Sequence, residues 1–278
     1  MPEKRLPRSL VVTAIALLIG AAVANAHDLF LKPSAFIVPP RSRVELTVLN
    51  GTFTSSESAV SRARLRDLAV VSPGARSTGD TAAWKTMGKT TRWTVPVGES
   101  GTYVIGASLA PSTIALEGAA FNSYLRSDGL PDVLAERKRK GELGAPARER
   151  YSKHVKALVQ VGAVRTTSFS AVLGYPAEIV PLDNPYAGER SAESVRVRAL
   201  VDGKPVTNQV VLAGGRTTRG VVIPERNVRT DAAGIARVTL GTPGVWYVKF
   251  IHMVPVASTA GDSVNYESKW ATLTFAVR

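Results

Sequence analysis

Val44-Glu45-Leu46-Thr47-Val48-Leu49-Asn50-Gly51 alternates apolar and polar side chains over its first five residues, so Val44, Leu46 and Val48 share one face of an extended chain. That is the pattern of a half-buried β-strand, and the Asn50-Gly51 pair after it reads as a tight turn. Outward from this stretch, short runs of similar character at residues 28–31, 35–38, 64–71, 92–95 and 102–105 are broken up by Pro, Gly and Ser. The spacing predicts a β-sandwich over residues 27–116.

Residues 117–156 change to helix formers. Pro131 stands where a first helical turn begins, Asp128 and Asp132 lie near helix starts, and Leu134, Ala135 and Leu143 supply apolar positions, which predicts a short helical insertion. Residues 157–174 regain strand-like composition and return the chain to the first sandwich. From 175 to 278 the sequence is strand-rich again. Val195-Arg196-Val197-Arg198-Ala199 alternates, Asp202-Gly203 predicts a tight turn, and Thr230-Asp231 to Gly234 followed by Pro243-Gly244 predicts a hairpin of strands. The expected fold is mainly β: two β-sandwich domains with a short helical insertion between them. Trp84, Trp93, Trp246, Trp270 and Met253 are expected in the core.

At the amino terminus, Lys4, Arg5 and Arg8 precede an apolar run at 10–23 that closes on Ala24-Asn25-Ala26. This is the layout of a cleavable signal peptide over residues 1–26, and the run is shorter than the roughly 18–20 residues of a membrane span. Export to the periplasm with His27 as the first mature residue is the expectation, and the mature chain is not expected to be an integral membrane protein. The formal charge is +13, and losing three cations (Lys4, Arg5, Arg8) and one anion (Glu3) leaves +11. Nucleic acid is not an expected partner. The densest basic run, Arg137-Lys138-Arg139-Lys140, has no interleaved aromatics on which bases stack and reads as a solvated helix face. The absence of cysteine removes disulfides, thiolate nucleophiles and cysteine-based metal sites together.

Several separated stretches occur in order: Ala26-His27-Asp28-Leu29-Phe30-Leu31-Lys32-Pro33, then Glu178-Ile179-Val180-Pro181-Leu182-Asp183-Asn184-Pro185-Tyr186, the 230–234 turn, Val245 to Met253, and Tyr266-Glu267-Ser268 with Trp270 to Phe275. Together they resemble a family of bacterial periplasmic proteins known as nickel-uptake transporters or only as a domain of unknown function. The resemblance covers nearly the whole mature chain. It implies a signal peptide, immunoglobulin-like and transthyretin-like β-domains, and a divalent metal as cargo.

The histidines bear on that cargo. Only His27, His154 and His252 exist, so any nitrogen-rich site draws on them. An amino-terminal histidine offers its α-amine, with an ordinary pKa of about 8, and its own imidazole to one ion. Such nitrogen donors suit nickel, cobalt or copper better than magnesium or calcium. His252, at the end of a strand, is the expected second imidazole, with a core histidine as the alternative reading. Asp28 and Glu267 are weaker candidates as oxygen ligands or as acceptors that orient a ring. His154, flanked by Lys153 and Lys156, is a weaker candidate still and reads as a surface or helix-packing residue.

No nucleophile elbow, P-loop or His-Glu-x-x-His motif is present, so a binding protein rather than an enzyme is expected. The expected function is capture of a transition metal ion and its delivery to a membrane transporter. Two alternatives stand beside it: a copper-dependent oxidase or monooxygenase, and a metal-free interaction module of the cell envelope.

Overall fold

The computed structural model of the chain describes residues 27–188, 193–257 and 264–278. The signal peptide expected at 1–26 lies outside the described residues. The first half contains strands β1 (Asp28–Pro33), β2 (Ile37–Val38), β3 (Arg43–Gly51), β4 (Leu65–Ser72), β5 (Ala75–Thr78), β6 (Trp84–Met87), β7 (Thr90–Pro96), β8 (Gly101–Leu109) and β9 (Ser112–Leu116). Helices α1 (Gly118–Ser127) and α2 (Pro131–Arg139) follow. The second half adds β10 (Ala147–Val161), β11 (Ala177–Pro181), β12 (Ser194–Val201), β13 (Lys204–Pro205), β14 (Val210–Thr217), β15 (Val222–Arg229), β16 (Ile235–Thr239), β17 (Gly244–Pro255) and β18 (Tyr266–Val277).

These strands make a mainly β fold of three layers. A long central sheet runs β15-β14-β17-β18-β10-β8-β4-β5, with β2 and β9 paired to parts of β10. One face carries the sheet β1-β3-β7-β6, and the other carries a sheet of β11, β12, β13 and β16. Period two along each central strand divides its side chains between two cores. Leu68 and Val70, Tyr103 and Ile105, and Val155, Ala157 and Val159 pack with Leu29, Leu31, Leu46, Trp84 and Trp93 of the first sheet. The residues between them, Ala69, Val104 and Leu158, pack with Ile179, Val197 and Val238 of the second. A strand buried on both faces loses the polar alternation of a half-buried one, which is why β8 and most of β10 are inaccessible throughout.

The two sandwiches therefore share a sheet. β18 makes the join, pairing antiparallel with β17 and parallel with β10. The helical insertion is shorter than expected: residues 147–156 are the first two-thirds of β10 and not helix. Their charges misled, because Glu149, Lys153, His154 and Lys156 look solvated in sequence yet are buried and partnered inside. The basic run of α2 is divided as well. Arg137 is buried, donating to Asn122, Tyr266 and the carbonyls of Glu142 and Ala145, and only Lys138, Arg139 and Lys140 are exposed.

α1 buries Phe121, Tyr124 and Leu125, an i, i+3, i+4 stripe, against Tyr266 and Trp270. α2 begins with Pro131 at its first turn, where the missing N–H costs no hydrogen bond. Two turn expectations changed. Asp202 and Gly203, both with positive φ, form the predicted tight turn between β12 and β13. By contrast, Asn50 and Gly51 stay in β3, paired with Leu29 and Asp28, and the chain turns after them. The 230–244 segment is not a hairpin either, since β16 joins β12 in one sheet while β17 lies in the central sheet facing it. The four tryptophans and Met253 are buried, as expected.

Candidate functional site

The turn after β3 builds the first part of the site. Gly51 sits where a Cβ would come within 2.5 Å of the Ser55 carbonyl oxygen, so only glycine lets residues 52–58 fold back against the strand. Thr52 N donates to Ser55 O at 2.9 Å, Asn50 N to Ser56 Oγ at 3.1 Å, and Glu57 N to Asn50 O at 2.9 Å. This return brings Glu57 to the residue before β1, where its Oε2 lies 2.5 Å from His27 Nε2. A carboxylate only accepts, so Nε2 carries the proton, and in the neutral ring Nδ1 holds the lone pair. Nδ1 is the nitrogen that closes a chelate ring with the residue's own backbone nitrogen. The His27 side chain remains a quarter exposed.

Beside His27, a buried lysine gathers three partly exposed carboxylates. Lys249 of β17 donates to Asp28 Oδ2 at 2.5 Å, and its Nζ lies 3.0 Å from Glu225 Oε1 and 3.8 Å from Asp128 Oδ1. Burial alone lowers an ammonium's pKa, but the three carboxylates outweigh it and hold Lys249 above its ordinary range. Burial raises Asp28, with Lys249 opposing, and burial together with the Asp28 charge pushes Asp128 up to about 7. Lys153 of β10 donates to the His27 carbonyl and sits 4.8 Å over the Trp270 ring. Burial lowers it to about 8, against the pull of Asp28 and Glu149. Glu149 in turn accepts from Ser268 and from Tyr124 Oη, and burial raises its pKa. Titratable groups shifted this far by burial and by one another mark functional sites more often than ordinary surface.

The other two histidines stand elsewhere. β17 pairs with β18 in unbroken register, so Lys249 and His252, three residues apart, face opposite sides of the central sheet. Lys249 points to β1. His252 is on the face of Trp246, Val248 and Phe250 and is bonded through Nδ1 to Gln209 Oε1 at 3.1 Å. His154 likewise alternates with Lys153 and is buried between Ser108 and Ser152. It lies within a strand, neither on the surface nor on a helix, and burial lowers its pKa to about 3. Glu267 shares the face of His252, two residues along β18 from its cross-strand neighbour Lys269. The structure thus groups His27 with Asp28, and His252 with Glu267, and the central sheet separates the two groups. Among the described residues, no three of His, Cys, Asp and Glu are grouped to hold a metal ion.

Sequence reasoning passed over Glu57, Asp128, Glu149, Lys153, Glu225 and Lys249. One signal was available: Lys249 interrupts the apolar run Trp246-Tyr247-Val248-Lys249-Phe250-Ile251, and a charge inside a buried strand requires partners.

The domain of unknown function DUF4198 matches residues 24–254. The chain belongs to the DUF4198 family. No curated protein sequence matches this DUF4198 chain. Among solved structures, it is similar to a DUF4785 family protein from Legionella pneumophila, with 9% identity over 79% of this chain and 50% of that one and a TM-score of 0.24. It is also similar to the BSP domain of a biofilm-associated protein, with 11% identity over 88% of this chain and 29% of that one and a TM-score of 0.20. The DUF4198 chain spans half or less of the length of these two structures. Among the described residues, no helix is long and apolar enough to cross a membrane.

Proposed function

We propose that this DUF4198 protein is exported to the periplasm, is cleaved after Ala26, and captures one nickel, cobalt or copper ion at the His27 amino terminus for delivery to a membrane transporter. The observation that carries the reading is the 2.5 Å pair between His27 Nε2 and Glu57 Oε2. A histidine that ligates metal through one nitrogen commonly gives its other N–H to a carboxylate, which fixes the tautomer and makes the ligating nitrogen more basic. Glu57 plays that part here and leaves Nδ1 and the freed α-amine to the ion. Lys153, bonded to the His27 carbonyl, holds the residue against the sheet.

Two nitrogen donors from one residue leave other coordination positions to water or to a receiving protein, which suits a carrier that must release its cargo. This geometry favours a carrier over a copper oxidase, because that chemistry needs a second imidazole beside the first and both other histidines face away across the central sheet. The test is calorimetric titration with copper(II), nickel(II) and cobalt(II) of protein whose first residue is His27, beside protein carrying one extra alanine before it. A one-to-one site abolished by the extra residue is the expected result. Equal binding by the two proteins, or no binding by either, overturns the reading.

A further inference from the structure

The β14–β15 hairpin lies at the outer edge of the central sheet and turns through Thr217-Thr218-Arg219-Gly220-Val221-Val222. Val221 and Val222 are 60% and 57% exposed, the two most exposed large apolar side chains among the described residues. The others, Met87, Leu143, Val164, Val172 and Val254, stand singly, as exposed apolar residues normally do. Neighbours in an extended chain face opposite sides, so two that are exposed together lie beyond the covering layer on both faces. The tip stands clear of the molecule. It is also held: Thr217 N donates to Val221 O at 2.9 Å, Val221 N to Thr217 Oγ1 at 3.1 Å, and Arg216 Nη1 to Gly220 O at 2.6 Å.

The charge on this hairpin is predominantly basic, with Arg216, Arg219, Arg226 and Arg229 against Glu225. Arg219 and Arg226 make no ion pair among the described residues, and Arg216 flanks the turn. Lys32 of β1 is near enough that burial and the Arg216 guanidinium together hold it below the ordinary lysine range. The hairpin's single acid, Glu225, is a third exposed but is engaged by Lys249 and by Tyr247 Oη, which donates to it at 2.8 Å. A rigid tip with paired valines and a basic collar is complementary to a surface that is anionic outside and apolar just beneath, which describes a bilayer better than an acidic protein face.

We propose that the β14–β15 tip docks this protein on anionic bilayers, with Val221 and Val222 entering the headgroup boundary and Arg216 and Arg219 meeting lipid phosphates. The contact is weak and salt-sensitive, because two valines and two arginines supply little more than a reversible anchor.

The experiment is co-sedimentation of the mature chain with vesicles of phosphatidylglycerol in phosphatidylethanolamine, beside vesicles of phosphatidylcholine alone, with chelator present so that the outcome is independent of any metal at His27. The protein should pellet with the anionic vesicles only. Val221→Ser with Val222→Ser should lower the bound fraction about ten-fold, and Arg219→Gln should lower it and flatten the salt dependence. Thermal unfolding should be unchanged in all variants, since these side chains are exposed. As a direct probe, Val221→Trp should shift its emission to the blue with anionic vesicles. Absence of pelleting overturns the proposal and leaves the basic collar to an acidic protein partner; a valine double variant that binds like the parent overturns it too, by reducing the contact to charge alone.

Discussion

Lys156 and Glu178, with side chains 2% and 1% exposed, are joined by a 2.9 Å ion pair that crosses from the central sheet to the sheet of β11 and β12. Glu178 also accepts from Leu173 N at 2.9 Å and Tyr175 N at 2.7 Å, so one carboxylate fastens the crossing segment to both layers. Removing one partner of a buried pair leaves the other charge unmatched, at a cost of about 3–5 kcal/mol. Glu178→Gln should therefore unfold at markedly lower urea concentration than the parent. Lys156→Met in the same chain should restore part of the loss, which a double-mutant cycle in urea would measure.

His154 makes stability depend on pH. Burial holds its folded pKa at about 3, while an unfolded histidine titrates near 6.5. Between those values the unfolded chain binds the extra proton, so stability rises with pH across the window and is lost as pH falls through it, by roughly 1.4 kcal/mol per unit. His154→Gln should flatten the stability curve between pH 4 and pH 6 relative to the parent, as read from denaturant midpoints. Parallel curves would mean that the imidazole is not buried in its neutral form.

Metal affinity should respond to Glu57 and not to His252. Glu57→Ala removes the acceptor on His27 Nε2 and should weaken copper(II) or nickel(II) binding about 10–100-fold. His252→Ala should leave the affinity within about two-fold, because the central sheet stands between that residue and His27. Competition titration against a chromogenic chelator separates the two. A large loss with His252→Ala would require a different arrangement of β17.

Gly51→Ala tests how the loop delivers Glu57. The added Cβ would meet the Ser55 carbonyl at 2.5 Å, so residues 52–58 must shift outward. The expected cost is about 1–3 kcal/mol from overpacking, together with metal binding reduced as in Glu57→Ala. Normal stability with intact binding would indicate that the loop tolerates the methyl by moving without losing Glu57.

Much of the fold could be read from pattern. Val44 to Val48 alternates because β3 is covered on one side only, and Pro131 and the Asp202-Gly203 pair announced a helix start and a turn through purely local backbone preference. Reading failed where tertiary partners reverse a local signal. Asn50-Gly51 has turn chemistry, but the glycine serves close approach of a returning loop and the pair stays in the strand. Glu149, Lys153 and Lys156 look solvated because sequence cannot display Ser268, the His27 carbonyl or Glu178 waiting for those side chains. The candidate site was only partly legible for the same reason: the acceptor on His27 lies thirty residues away on a loop, and His252, expected beside His27, differs from Lys249 by an odd number of residues and so faces the other side of the sheet.

The place of β18 has a consequence for how the chain comes to be folded. It fills the gap between β17 and β10 in the middle of the central sheet, yet it follows every other described strand in sequence. Until residues 266–277 have emerged, β10 presents an unpaired flank, and the amino-terminal half is an open template for any passing strand. A chain that emerges amino terminus first would stay vulnerable in this way until β18 follows β17. Truncation before β18 would therefore leave β17 and β10 without the strand that joins them, and a chain lacking residues 266–277 should expose both flanks to aggregation.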